Sequence, residues 1–279
     1  MFSVKAGSMQ TEPPSLTGER AARALRHELA LGFAPIDIWD VLRRRGVYVA
    51  FRDFGDAGGD GLYLWRGQEA GGIPLIVLNA AMRPSRQRFT AAHELGHHEL
   101  HRFEGADVLM ADEDVVGLNN DERETAANAF AAYLLAPTED LRQWAAANEG
   151  PLVPARVVEL MRRYGLSYQA VTYRLRNCGV ITQRALDDLL AAGEGQIERL
   201  AERQGFSERA IFPPPGPIPE VMAQGAMRLF RDHVIDEARL AELLDLSIEE
   251  ALAAAQDAGM GRPAEPPIDE AAVRELLGE

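Results

Sequence analysis

The chain has 279 residues, of which 47% are hydrophobic and 26% are charged, a balance typical of a globular protein with one medium-sized domain and appendages. Its 43 acidic and 29 basic residues give a formal net charge of −14, which argues against a protein that coats nucleic acid. The single cysteine, Cys178, excludes an internal disulfide and a cysteine metal site. Because there is no signal-peptide pattern at Met1–Ser15 and no apolar run of membrane-spanning length, we expect a cytoplasmic protein.

The first eighty residues mix helical and strand patterns. Residues 1–17 are polar and contain proline, which predicts a flexible tail. Apolar residues at helical spacing then predict two helices, which stop at Gly32 and Gly46. Three short strands are predicted next, at 47–51, 62–66 and 73–79.

The following predicted helix, from about 84 to 101, carries the main chemical signal. It contains His-Glu-Leu-Gly-His at 93–97, so its two histidines lie one helical turn apart on one face. His93 and His97 can therefore bind one metal ion, and Glu94 beside them can take a proton from a water at that ion. Four of the six histidines of the chain lie in this helix, which argues against a chance match.

The third ligand decides the class of metal site. A metzincin would need glycine and histidine where this chain has Leu100 and Phe103, so that class is excluded. His98 and His101 lie on the same rigid helix, and we interpret them as exposed or as lying behind the ligands. Glu124 is the better candidate, because it lies on the apolar face of a second predicted helix, where a carboxylate needs a cation. An ordinary salt-bridged carboxylate is the alternative interpretation.

The second helix, at 121–137, also offers an orienting residue. Asn128 follows Glu124 by one turn and can hold a ligating histidine through its other ring nitrogen. The group that stabilises the oxyanion is left open by the sequence, with four candidates: Tyr133, His98, His101 and Arg88.

From about residue 150 onward the pattern is helical. The pattern of residues 151–184 predicts a helix, a glycine-containing turn and a second helix, which together have the helix-turn-helix form. Six arginines against one glutamate in this segment predict contact with DNA or an acidic partner. The predicted contact residues are Gln169, Thr172, Tyr173, Arg174 and Arg176. A helical hairpin with arginines on its outer face is the alternative.

The remaining segments complete the domain prediction. The metallopeptidase-like domain is expected over 18–150, short helices over 185–211, a stiff proline-rich linker over 212–219 and a helical C-terminal region over 220–279. Residues 185–279 hold 8 arginines against 20 acidic residues, so this part would repel phosphates. We interpret the C-terminal region as a surface for partner binding or homo-oligomer formation.

Two motifs in order connect the chain to a known family. Arg86-Gln-Arg-Phe-Thr-Ala-Ala-His-Glu-Leu-Gly-His97 and then Glu124-x-x-x-Asn-x-Phe-Ala-Ala-x-Leu-Leu-x-Pro137 resemble the ImmA/IrrE family of metallo-endopeptidases. The resemblance covers roughly residues 20–180 and implies that His93, His97 and Glu124 are the metal ligands and Glu94 the catalytic base. Ala136 stands where the family often has methionine, a departure that concerns packing.

The expected fold class is α+β. A zincin-like, gluzincin-type metalloprotease domain with a small three-stranded sheet is followed by the helix-turn-helix-like segment and an all-α C-terminal region. A sheet beside the active-site helix is common to zincins, and its edge strand could pair with an extended substrate.

The predicted function is a cytoplasmic zinc-dependent endopeptidase of regulatory type, with Mn²⁺ or Fe²⁺ as other metals that the site could take. The resemblance implies a protein substrate, an XRE-type helix-turn-helix repressor, and a role in transcription regulation and stress response. The alternative is a DNA- or partner-binding regulator of antitoxin type with a structural or vestigial metal site. A hydrolase of small amides would share the same residues. Three protein ligands leave an open coordination position, and this favours catalysis over a structural site.

Overall fold

The helices and strands come from a computed structural model that describes residues 12–55, 59–66, 73–101, 107–111, 120–148, 150–213 and 218–262. The chain divides into two units, Met1–Pro215 and Gly216–Glu279, with the division inside the predicted 212–219 linker. The α+β class with a helical C-terminal region is confirmed. Of the helices in these ranges, none is long and apolar enough to cross a membrane.

Two helices open the first unit. α1 spans Pro14–Glu28, and its proline stands in the first turn, where a missing N–H costs no hydrogen bond. It thus begins inside the segment that the sequence predicts as a tail, and the rest of that tail, residues 1–11, lies outside the described residues. α2 spans Ile38–Arg45 and ends at Gly46, whose φ of 68° favours glycine, so that predicted stop is confirmed.

The sheet has four strands where the sequence predicts three. β1 (Tyr48–Arg52), β2 (Gly61–Arg66), β3 (Leu75–Asn79) and β4 (Asp107–Ala111) are arranged in the order β1-β3-β2-β4. β1 and β3 are parallel, whereas β2 is antiparallel to both β3 and β4. β4 lies in the segment 102–120, for which the acidic residues of the sequence predict a solvated loop, so that prediction is wrong at 107–111. The short apolar run inside that segment is what pairs with β2.

Two helices pack closely beside the sheet. α3 spans Pro84–His101 and contacts β2 and β3, and α4 spans Asn120–Leu135 and contacts both α1 and α3. A Cβ atom added at Gly18 of α1 would lie 2.0 Å from the carbonyl oxygen of Ala126, and one added at Gly96 of α3 would lie 3.1 Å from Ala127 Cα. Glycine at both positions therefore lets the backbones of α1 and α3 approach α4, which brings the two motif helices together.

Six more helices complete the first unit: α5 (Thr138–Ala147), α6 (Pro154–Tyr164), α7 (Tyr168–Asn177), α8 (Gln183–Leu190), α9 (Glu194–Arg203) and α10 (Glu208–Ile211). Gly165, with a φ of 65°, ends α6, and Ser167 caps α7 by accepting the N–H of Ala170 at 3.2 Å. One hydrophobic core includes Leu134 of α4 together with Leu160 of α6 and Leu175 of α7. The core is therefore continuous across the predicted boundaries near 150 and 184.

In the second unit, the described residues 218–262 form three helices with a core of their own. α11 spans Glu220–Arg231, α12 spans Glu237–Leu244 and α13 spans Ile248–Asp257. Their buried core consists of Ala226, Phe230, Leu240, Ala241, Leu244, Ala251 and Ala255.

Candidate metal centre

Three side chains from two helices meet at the contact of α3 and α4. The Nε2 atoms of His93 and His97 lie 3.0 Å apart, because the residues are one turn apart on α3. Glu124 of α4 places Oε2 3.1 Å from His93 Nε2 and Oε1 3.3 Å from His97 Nε2. Within the described ranges, this is the cluster whose ligand atoms lie within 4.8 Å of one another, and it is the set that the sequence predicts.

The donor set fits a divalent metal ion. The Nδ1 of His93 lies 3.1 Å from Asn128 Oδ1, an acceptor, so Nδ1 carries the ring proton and Nε2 presents a lone pair. Two nitrogens bound tetrahedrally to one Zn²⁺ would lie about 3.3 Å apart, close to the observed separation. Two imidazole nitrogens and a carboxylate that meet at one point are a donor set typical of a divalent cation, so the ligand assignment is chemically coherent.

The charge of Glu124 suits this role. The adjacent imidazole of His93, and then that of His97, holds the pKa of the Glu124 carboxyl far below the usual range, against the opposing effect of burial. The carboxylate is therefore ionised and supplies a negative charge to balance a cation.

Glu94 lies between the two histidines in the α3 sequence and is almost fully buried, with 1% of its surface exposed. It is one residue from His93 and is not part of the ligand cluster. A carboxylate in this position beside three ligands is the arrangement in which a side chain can take a proton from a water at the ion.

His98 and His101 are both buried, so the interpretation of either as exposed is wrong. His101 lies behind a ligand, with its Nδ1 3.0 Å from His97 Nδ1, and burial followed by the nearby His97 lowers its pKa to about 4. His98 faces the sheet, and its Nδ1 lies 2.6 Å from the hydroxyl of Tyr63 on β2. Tyr63 is the site neighbour that the sequence prediction misses, because only the packing of β2 on α3 brings residues 35 positions apart into contact.

Two of the four oxyanion candidates are engaged away from the ligands. The hydroxyl of Tyr133 donates to Glu139 at 2.8 Å, and burial together with that bond raises its pKa. Arg88 donates to the carbonyl of Ile36 at 3.0 Å and stacks over the ring of Phe212, with its guanidinium carbon 4.5 Å from the centroid. Burial lowers the pKa of Arg88 to about 10. These contacts assign both residues to packing, which corrects their place among the candidates.

The predicted contact surface of α7 needs a similar correction. Thr172 is fully buried and donates to the carbonyl of Tyr168 at 2.7 Å. Arg174 is 7% exposed and donates through Nε to the carbonyl of Ala136 at 2.8 Å and through Nη2 to Thr138 at 3.0 Å. Arg174 thus binds a carbonyl just after the C-terminal end of α4, a common use of arginine.

Three of the predicted contact residues on α7 keep exposed surface. Gln169 is exposed, Tyr173 is 45% exposed, and Arg176 is partly exposed. The structure therefore leaves these three, and neither Thr172 nor Arg174, available to a partner.

Known proteins share the part of the chain that holds this centre. The family model described as the IrrE N-terminal-like domain, peptidase family M78, matches residues 42–176. Two proteins named radiation response metalloprotease IrrE, from Deinococcus deserti and Deinococcus radiodurans, are 34% identical over 110 residues. The match covers 36% of this chain and 35% and 30% of those two proteins, so the chain spans about a third of their length.

A solved structure of a Mycobacterium tuberculosis transcriptional regulator shows a slighter likeness. The superposition covers 59% of this chain and 52% of the regulator, at 15% sequence identity. Its TM-score of 0.36 is too low to bear on fold or function. The matched family model includes both motif helices, and a metallopeptidase family implies a divalent metal ion, for which this chain has the cluster of His93, His97 and Glu124. The matches over residues 42–176 therefore support the assignment of this domain to the ImmA/IrrE family of metallopeptidases.

Proposed function

We propose that the chain is an endopeptidase that uses Zn²⁺ to hydrolyse a peptide bond in a protein substrate. The observation that carries this proposal is the convergence of His93, His97 and Glu124 within 4.8 Å, with the buried Glu94 adjacent and not a ligand. Three protein ligands leave a coordination position open, as catalytic zinc sites do, whereas a structural site is closed by a fourth ligand.

The side chains around the site would have separate roles in the reaction. His93 and His97 hold the ion through Nε2, and Asn128 and His101 orient the two rings through Nδ1. Bound there, Zn²⁺ supplies a lowered pKa for water, to about 7, and polarisation of the scissile carbonyl. Glu94 takes the proton of the attacking water and delivers it to the leaving amine, which its position beside the ligands supports.

The sheet favours a peptide over a small amide. The outer strands of the described sheet are β1 and β4, and an outer strand can pair with an extended peptide through its backbone. β4 is the better candidate for this pairing, because it lies in the chain between α3 and α4, the two helices that provide the ligands.

The regulatory role and the substrate are part of the same proposal. The relatives carry the name radiation response metalloprotease, which supports a role in a stress response here as well. We propose an XRE-type helix-turn-helix repressor as the substrate. Cleavage between its DNA-binding half and its dimerising half would lower operator affinity by removing the second half-site contact.

Metal analysis and one matched substitution test the proposal. Purified chain should contain about one Zn²⁺, and His93→Ala should lose it, since three ligands leave no spare. Glu94→Gln should keep the metal and the thermal stability but lose about 100-fold or more in peptide cleavage, since an amide cannot accept the proton. Unchanged cleavage by Glu94→Gln would exclude Glu94 as the base.

The substrate is tested separately, by incubating zinc-loaded chain with the repressor encoded nearest to it and looking for two discrete fragments. Intact repressor beside an active peptide control would contradict the substrate assignment and leave the peptidase assignment in place.

A further inference from the structure

A groove of about 790 Å³ lies between α1, α3, α4 and α7. Its walls include the apolar side chains of Leu16 and Phe89, and small residues of α4, among them Ala132, form part of its lining. Tyr173, almost half exposed, stands on the α7 side. A groove of this size, with apolar walls and a lining of small residues, can accept several side chains of a peptide.

The groove adjoins the metal centre. Asn128 lines the groove and also accepts the hydrogen bond from Nδ1 of the ligand His93. Thr125, another lining residue, directly follows the ligand Glu124 on α4. A peptide in the groove would therefore lie next to the ligand-bearing face of α4.

One charged residue that lines the groove, Arg176, has no partner of opposite charge within the described residues. Arg174 lines the groove but donates hydrogen bonds to Ala136 and Thr138. Glu19, on the α1 side, is paired with Arg23 at 3.4 Å. Arg176 has no hydrogen-bond or ion-pair partner within the described residues, and its Nε is buried without one. The Arg176 side chain is partly exposed, and a guanidinium without an acidic partner has a strong preference for a carboxylate, which its two Nη groups can bind through two parallel hydrogen bonds.

We propose that this groove is a specificity site that binds an acidic side chain of the substrate peptide, Asp or Glu, at Arg176. The proposal rests on the proposed peptidase function, because it names the substrate class of the same centre. Arg176 contacts the substrate directly in this arrangement, and the apolar walls of the groove pack against the neighbouring peptide residues.

The shape of the surface favours a peptide over DNA. A helix that reads the major groove must project from the protein surface so that several of its side chains reach the base edges. On α7, Thr172 and Arg174 are buried, and Arg176 lines a concave groove. A single extended chain fits such a concavity, whereas a duplex does not.

The test measures binding, so that it does not depend on cleavage. The probes are two fluorescein-labelled peptides of equal length and sequence, except that one has glutamate wherever the other has glutamine. In the Glu94→Gln background, the glutamate peptide should bind about tenfold more tightly than the glutamine peptide, the effect of one charge-assisted bidentate contact. Arg176→Gln should remove this difference, and Arg176→Glu should reverse it in favour of the glutamine peptide.

Arg162→Gln is the matched control, because Arg162 is exposed on α6 and outside the groove. It makes the same change in net charge and should leave the preference intact. Equal binding of the two peptides, or an equal loss in Arg162→Gln and Arg176→Gln, would overturn the inference. Duplex DNA that binds the parent and not Arg176→Gln would overturn it in favour of a nucleic-acid surface.

The two proposals can fail separately. A parent chain that cleaves peptides with no preference for acidic residues would refute the specificity site and keep the peptidase. Binding of the glutamate peptide that depends on Arg176, without any cleavage by the zinc-loaded parent, would support the specificity site and refute the peptidase.

Discussion

Asn128→Ala tests whether the metal centre is organised by a residue that is not a ligand. Asn128 Oδ1 lies 3.1 Å from Nδ1 of His93, and this contact fixes the ring proton on Nδ1. The Nε2 lone pair then faces His97 and Glu124. Without the amide oxygen, the imidazole can rotate or move its proton to Nε2, and each of these changes competes with metal binding.

The size of the effect follows from the position of Asn128. Loss of such an orienting partner usually lowers metal affinity by about 10- to 100-fold, or ~1.4–2.8 kcal/mol. Asn128 is exposed on the groove side, so a water molecule can take over part of the hydrogen bond in the alanine variant. We therefore expect the lower end of that range, about a tenfold loss.

Competition against a chromophoric zinc chelator at fixed pH measures this affinity. Asn128→Asp should bind Zn²⁺ at least as tightly as the parent, because a carboxylate accepts the same hydrogen bond. Thr125→Ala, an exposed neighbour on α4, controls for the loss of a polar side chain at this face of the helix. Equal zinc affinities for Asn128→Ala and Thr125→Ala would refute the reasoning.

Two further predictions concern the packing that positions the centre, and urea unfolding measures both. Gly18→Ala should destabilise the chain by about 3 kcal/mol, because its Cβ would meet the backbone of α4 at 2.0 Å. Gly195→Ala, at an exposed position in α9, is the control and should stabilise the chain by ~0.5–1 kcal/mol. Equal effects of the two changes would contradict the close approach of α1 to α4. Arg26→Met should cost ~3 kcal/mol, since the buried Arg26 donates to the carbonyls of Gly32, Ala34 and Leu134, and a loss below ~1 kcal/mol would mean that water replaces those bonds.

The ligand set could be predicted because it depends on local geometry. Spacing along one helix places His93 and His97 on one face, and an acidic residue on the apolar face of the next helix identifies Glu124. Asn128 follows by the same one-turn spacing. Only the meeting of α3 and α4 had to be assumed, and the close contact of Gly96 with Ala127 is what allows it.

The surface predictions fail where long-range contacts decide the outcome. The sequence predicts Arg174 as a surface charge. In the structure the side chain is buried and donates a hydrogen bond to the carbonyl of Ala136, 38 positions earlier in the chain. The contact of Tyr63 with His98 depends on how the sheet packs on α3, which no local pattern contains. The acidic residues around β4 predict a solvated loop, and its short apolar run is too weak a strand pattern to change that prediction.

The segment after residue 150 has a structural link to the centre that its helix-turn-helix pattern does not indicate. Arg174 joins α7 to the backbone just after α4, and α4 carries Glu124. Arg176 lies two residues further along α7, so the packing of α7 against the end of α4 sets its distance from the metal ligands. A change in the packing of α6 and α7 would therefore move the proposed acidic-residue site relative to the metal ligands. In the proposed arrangement the arginine-rich helices act on which peptide is accepted, while α3 and α4 carry the ligands that bind the metal.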